Sequence, residues 1–368
     1  MKLQLSFFSM VLFTVLLFGQ DPMADASRAQ EELAQGNVDS AESLYQSALD
    51  MDPSFSPALL GLSKVALTKG DLNATGSYLR EAIDMEPENQ EFRDEYQKLN
   101  ELNTLMNQGN RSYSNGETSD AIETFRIILE KYPTFSEAAF RAGLAHSRDG
   151  NTPEAVESFK TALRIYPDHE NAQKAIKNEA KRAFLTGNDS YKRGDLETAL
   201  GYYEKAIQVD ETFYQSYYQM GVIESKLGND NTAIENYQRA LEIQPGFYKG
   251  WFSMGKAQER TGNQDVALDS YNKALEVYPT YAKAYGAIGD IHFSNQNFDA
   301  ALSAFQQGAA IDASYAKAFI GMGSVYLEQE LFQDAITPLE TASVLKAKDA
   351  MVWFRLASAY NGVVDCEN

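Results

Sequence analysis

Three histidines, His146, His169 and His292, are the residues of this chain best suited to metal ligation or proton transfer, and none has a second ligand at helical or turn spacing. His146 and His292 stand at equivalent places in a repeated pattern, which points to packing. The acidic pairs, such as Glu31-Glu32, read as exposed helix charges. No glycine-rich phosphate loop, nucleophile elbow or zinc-protease motif occurs. Cys366 is the only cysteine, so neither an internal disulfide nor a cysteine metal site can form. No catalytic, cofactor or metal site is expected, and the chain does not read as an enzyme. One arrangement does carry chemistry. Lys249, Lys283 and Lys317 recur every 34 residues, with Lys256 close by, and Tyr218, Phe252, Ile320 and Phe354 follow the same spacing three residues further on. Ammonium groups beside large apolar side chains are the materials of a binding surface.

The bulk numbers narrow the partner. The 368 residues carry a formal charge of −20, with a pI near 4.6, and 44% of them are hydrophobic. A nucleic-acid backbone needs clustered Lys and Arg, so a nucleic-acid partner is excluded. Residues 21–100 hold 16 Asp+Glu against 6 Lys+Arg, half of the net charge in under a quarter of the chain. That stretch is a solvated acidic face, or one that attracts a basic partner.

The elements that position these residues repeat. Gly221, Gly228, Ala233, Tyr237, Ala240 and Pro245 recur 34 residues on as Gly255, Gly262, Ala267, Tyr271, Ala274 and Pro279. A period of this length is one supersecondary unit stacked on copies of itself. The first glycine sits midway along a first helix, where a second helix can approach. The later glycine ends that helix in the left-handed conformation, and Gln296 and Glu330 replace it in the last two units. The alanine of the second helix is expected to face the first glycine, a bulky filler follows one turn on, and the proline closes the second helix.

This pattern, Gly-x6-Gly-x4-Ala-x3-aromatic-x2-Ala-x4-Pro, resembles the tetratricopeptide repeat (TPR). The resemblance covers about nine complete units and a tenth first helix, roughly residues 24–362. It implies an all-α solenoid, a right-handed superhelix of antiparallel helix pairs, closed by a C-terminal capping helix. It also implies that the first helices line a concave groove in which a partner lies as an extended peptide or a helix. On that reading Lys249, Lys256, Lys283 and Lys317, with Tyr218, Phe252, Ile320 and Phe354, form the candidate groove, the ammonium groups standing roughly 10 Å apart, about one Debye length. Some members clamp a C-terminal carboxylate with an Asn after the first-helix glycine and a Lys four residues before it. Asn110 and Asn188 match, but Met106 and Phe184 occupy the Lys places, which disfavours that activity.

The register slips twice, by 12 residues after Pro87 and by 10 after Pro167. Both insertions keep helical apolar spacing and lack Gly and Pro, so each reads as about three added turns on a first helix. The expected organisation is a leader over residues 1–20, units 1–4 over 24–176 with a lengthened helix near 89–113, units 5–9 with a lengthened first helix and a cap over 177–362, and a tail over 363–368. Phe7 to Phe18 is almost wholly apolar behind a single charge at Lys2, the pattern of a signal peptide, with cleavage after Gly19 or after Ala26. Export is therefore expected, with the bacterial periplasm as the compartment. The alternative is an uncleaved N-terminal anchor, the only contact with a membrane that the sequence suggests, which would make the chain an assembly subunit of a cell envelope. The leading expectation is a non-catalytic scaffold whose partner is another protein.

Overall fold

A computed structural model describes residues 21–367, with side chains through Val364, so the leader lies outside the described residues. They form nineteen α-helices and no strand: α1 (Pro22–Ala34), α2 (Val38–Met51), α3 (Ser56–Lys69), α4 (Leu72–Met85), α5 (Gln90–Asn115), α6 (Thr118–Lys131), α7 (Ser136–Arg148), α8 (Thr152–Ile165), α9 (Glu170–Lys192), α10 (Leu196–Val209), α11 (Tyr214–Leu227), α12 (Asp230–Ile243), α13 (Tyr248–Arg260), α14 (Gln264–Val277), α15 (Ala282–Ser294), α16 (Phe298–Ile311), α17 (Ala316–Glu328), α18 (Phe332–Leu345) and α19 (Ala350–Glu367). Odd-numbered helices are the first of each pair and even-numbered ones the second. The described residues divide within α9 into two compact units, unit 1 ending at Glu179 and unit 2 beginning at Ala180.

Most helices run 13 or 14 residues, whereas α5 has 26 and α9 has 23, at the two places where the period slips. The pairing follows from side-chain size. Ala199, Ala233, Ala267, Ala301 and Ala335 are all fully buried, as are the fillers Tyr203, Tyr271, Phe125, Phe159 and Phe305. The alanine was expected to face the first-helix glycine, but the filler ring occupies that place. A methyl group added at Gly143 would lie 2.4 Å from Phe159, and one at Gly255 would lie 2.6 Å from Tyr271. The alanine presents its carbonyl there instead: the Ala199 oxygen would lie 3.2 Å from a methyl group added at Gly187. The ring needs the room that a missing side chain leaves, because interiors are already close-packed.

Turns are built from the same few devices. Asp71 and Asp195 accept amide hydrogens from Ala74 and Thr198 and so cap α4 and α10. Gly70, Gly116 and Gly228 end their helices in the left-handed region, and Gln296 and Glu330 adopt the same φ, 59°, without glycine's freedom. Trp251 and Trp353 each donate the indole N–H to a backbone carbonyl six residues back, Pro245 and Ala347.

Candidate protein-binding surface

In unit 2 consecutive odd-numbered helices touch each other, α11 with α13, α15 with α17 and α17 with α19, while the even-numbered ones make no comparable contact. The odd helices therefore form the inner wall of the stack, and their exposed residues are the ones a bound segment would meet.

Charge is sorted between the two sets. Helices α11, α13, α15 and α17 carry six basic and four acidic residues, whereas α12, α14, α16 and α18 carry two basic and nine acidic. In a chain of −20 the inner wall is thus locally positive and the outer wall strongly negative. Lys249, Lys256, Lys283 and Lys317 are all exposed on it. The Lys249 ammonium lies 5.8 Å from the ring centre of Tyr248, and Lys317 forms an ion pair with Asp290. Burial pushes the Asp290 carboxyl above the ordinary aspartate value, Lys317 pulls it back, and Glu259 adds a further upward push.

The apolar column is less uniform than its spacing. Tyr218 is half-buried between Tyr237 and Phe247, with ring centres 5.7 and 4.9 Å away. Phe252 sits in the same way between Tyr271 and Tyr281, at 5.5 and 5.1 Å. Ile320 is half-buried, and Phe354 is 68% exposed. Phe247 and Tyr281 close over Tyr218 and Phe252, and Phe213 and Tyr315 stand at the equivalent place, so that an aromatic residue comes just before each of α11, α13, α15 and α17. Sequence reasoning passed over them, although their 34-residue spacing is as regular as that of the lysines. Where Gly286 interrupts the column, Tyr315 lies across the gap, its hydroxyl 2.3 Å from the place of a Cβ. Burial pushes that phenol up to about 12. Arg260 was also passed over; it binds Asp230 at 2.6 Å and fixes the start of α12 against the end of α13.

Unit 1 treats its inner wall differently. Ten of the fourteen residues of α3 are buried, because α3 packs on α7 as well as on its neighbours. Ser136 donates to the Thr68 carbonyl at 2.6 Å, and Lys69 binds Asp39 and Glu42 at 2.5 and 2.8 Å with the Tyr166 ring 5.7 Å away. Glu137 binds Arg141 at 2.6 Å and lies 3.5 Å from the buried His169. Burial pushes the Glu137 carboxyl upward, but His169 and Arg141 together hold it below the ordinary glutamate value. His169 also accepts the Ala172 amide hydrogen at Nδ1, 3.3 Å away, and so caps α9. His146 and His292 are half-buried on α7 and α15. Among the described residues no group of three His, Cys, Asp or Glu side chains could hold a metal ion, and no helix is long and apolar enough to cross a membrane.

Comparison with known proteins agrees with this architecture. A tetratricopeptide-repeat model matches residues 27–90, 106–170 and 252–316, and a second model of the same repeat matches 214–247. Among solved structures, MamA from Desulfovibrio magneticus RS-1 is 19% identical, with 46% of this chain and 97% of that one covered and a TM-score of 0.42. The C-terminal part of a TPR protein from Cytophaga hutchinsonii is 18% identical, covering 67% of this chain and 98% of that one, with a TM-score of 0.42. YrrB, described as a TPR protein with an unusual peptide-binding site, is 22% identical over 54% of this chain and 97% of its own, with a TM-score of 0.41. No curated protein sequence matches significantly. With the repeat models covering more than half of its length, the chain belongs to the tetratricopeptide repeat family.

Proposed function

We propose that this chain is an exported, non-catalytic scaffold that holds an acidic peptide or protein segment along the inner wall of unit 2. TPR proteins bind other proteins or peptides, and the observation that selects this wall is the sorting of charge between odd and even helices. Lys249, Lys256 and Lys283 offer ammonium groups to carboxylates of the partner, while Ile320 and Phe354 offer apolar surface for an anchoring side chain. Tyr218 and Phe252, packed on Tyr237 and Tyr271, contribute ring edges. The outer, acidic face repels the same partner, which confines it to one side.

The test is binding of a fluorescent Glu-rich peptide carrying one aromatic residue, compared with its Lys-rich counterpart. The Lys249→Glu plus Lys283→Glu variant should weaken the acidic peptide at least about tenfold, mainly through electrostatics, with a steep dependence on salt. Unchanged affinity, or equal affinity for the basic peptide, refutes the assignment. Export rests on the apolar run Phe7–Phe18. N-terminal sequencing of the mature chain checks it, and a retained Met1 would instead favour the anchored subunit.

A further inference from the structure

The first break in the period leaves a cavity as well as a long helix. The first half of α5 packs on α4 through Phe92 and Leu99, and its second half packs on α6 through Leu102 and Met106. Between these two contacts lies a cavity of about 260 Å³ within unit 1. Its floor is apolar: Leu67 from α3, Leu79 from α4, and Leu99 and Leu102 from α5. Three amines and one carboxylate stand around it: Lys64, Lys98 and Lys131, one from each of α3, α5 and α6, and Glu95 of α5.

The placement of the amines is the informative part. Residues 21–100 hold only 6 Lys+Arg, and two of them line this cavity in the most acidic stretch of the chain. Lys98 pairs with Glu95 at 2.8 Å, and Lys131 pairs with Glu101. Both are exposed pairs, of the kind worth ~0–1 kcal/mol, so a ligand anion can replace either carboxylate at little cost. The Lys64 ammonium has no ion-pair partner among the described residues. Tyr132 closes one side, its hydroxyl donating to the Lys98 carbonyl at 3.0 Å. The volume lies just below the ~300–1,000 Å³ usual for small-molecule pockets, so it suits a compact ligand.

We infer that this cavity binds a small amphipathic carboxylate, a short apolar chain lying on the leucine floor with its anionic head among Lys64, Lys98 and Lys131. The site is separate from the proposed groove, so neither depends on the other. Neutral apolar molecules leave the amines unused, and a bare anion leaves the floor wet.

Calorimetric titration of the full chain with octanoate, octanol and acetate tests this. Octanoate should bind with one-to-one stoichiometry, at least about tenfold tighter than octanol or acetate, since both head and chain are recognised. The Lys64→Gln plus Lys131→Gln variant, which alters only exposed side chains and should melt like the parent, should weaken octanoate by at least about tenfold. The groove variant Lys249→Glu plus Lys283→Glu should bind octanoate unchanged. No saturable octanoate binding overturns the inference. So does equal binding of octanol, an unchanged affinity in the Lys64/Lys131 variant, or a loss in the groove variant. Binding of the Glu-rich peptide that is abolished by Lys64→Gln plus Lys131→Gln, without octanoate binding, assigns the cavity to a protein segment and also overturns it.

Discussion

Gly255→Ala should destabilise unit 2, although alanine is the better helix former. The glycine lies inside α13, and the added Cβ would stand 2.6, 2.8 and 3.1 Å from three ring atoms of Tyr271. That ring is fully buried, and its hydroxyl donates to Glu259 at 2.8 Å, so it cannot swing aside without losing the bond. Overpacking of this kind costs ~1–3 kcal/mol and the hydrogen bond about 1 kcal/mol, against a helix-propensity gain of about 1 kcal/mol. A net loss of about 1–3 kcal/mol follows, or a Tm lower by ~2–4 °C for each kcal/mol at this size. Gly201→Ala is the control. It lies inside α10 with nothing within 4 Å of the added carbon, and should stabilise by ~0.5–1 kcal/mol. Thermal and urea unfolding of the full chain, followed by circular dichroism, reads both. In a Tyr271→Ala background the Gly255→Ala penalty should vanish, a coupling of at least ~1 kcal/mol. If Gly255→Ala is neutral or stabilising in the parent chain, the ring does not need the glycine and the packing argument fails.

Gln296→Gly and Glu330→Gly should each raise stability by ~0.5–1 kcal/mol in the same melts, because both residues hold a φ of 59° that glycine adopts without strain. Asp290 has a folded pKa above its ordinary value, so it contributes stability below that ordinary value and loses it as pH rises through the folded pKa. Asp290→Asn should therefore flatten this part of the pH profile and raise the Tm at neutral pH; a lower neutral Tm would show that the Lys317 pair outweighs burial. Glu137 has the opposite sign: its folded pKa is depressed, so its contribution is present above the ordinary glutamate value and lost as pH falls through the folded one. Glu137→Gln should cost unit 1 about 1–3 kcal/mol at neutral pH, and should cost less in acid.

The repeat was legible because its signals are local. A glycine, an alanine, a filler ring and a proline act within one helix pair, and their spacing survives in the sequence whatever the stack binds. Gln296 and Glu330 were readable as glycine replacements for the same reason, since the turn geometry is fixed by its neighbours. Two things were less legible. The aromatic residues Phe247 and Tyr281 that half-cover Tyr218 and Phe252 precede the odd helices, where no periodic apolar face marks them as packed. The contact of α3 with α7 joins residues 68 apart. The trace it leaves in the sequence is that Ser56–Lys69 is apolar or small nearly all round, the composition of a helix buried on every side. Sequence spacing finds which residues share a column, but exposure within it depends on what the next turn brings over.

That contact between α3 and α7 gives two stretches of the same repeat different folding behaviour. Unit 2 makes its strong contacts only within a pair or with the next one, so its stability propagates like a one-dimensional chain and its ends fray. Its inner wall can therefore loosen locally, one pair at a time, which suits a surface that must admit and release a segment. Unit 1 is tied across a larger loop by Ser136 and Thr68, so closing it carries an entropy cost that nearest-neighbour stacking does not. One repeat thus yields one stretch held by neighbours alone and another tied by a non-neighbouring contact, and the 26-residue α5 lies in the loop that this contact closes.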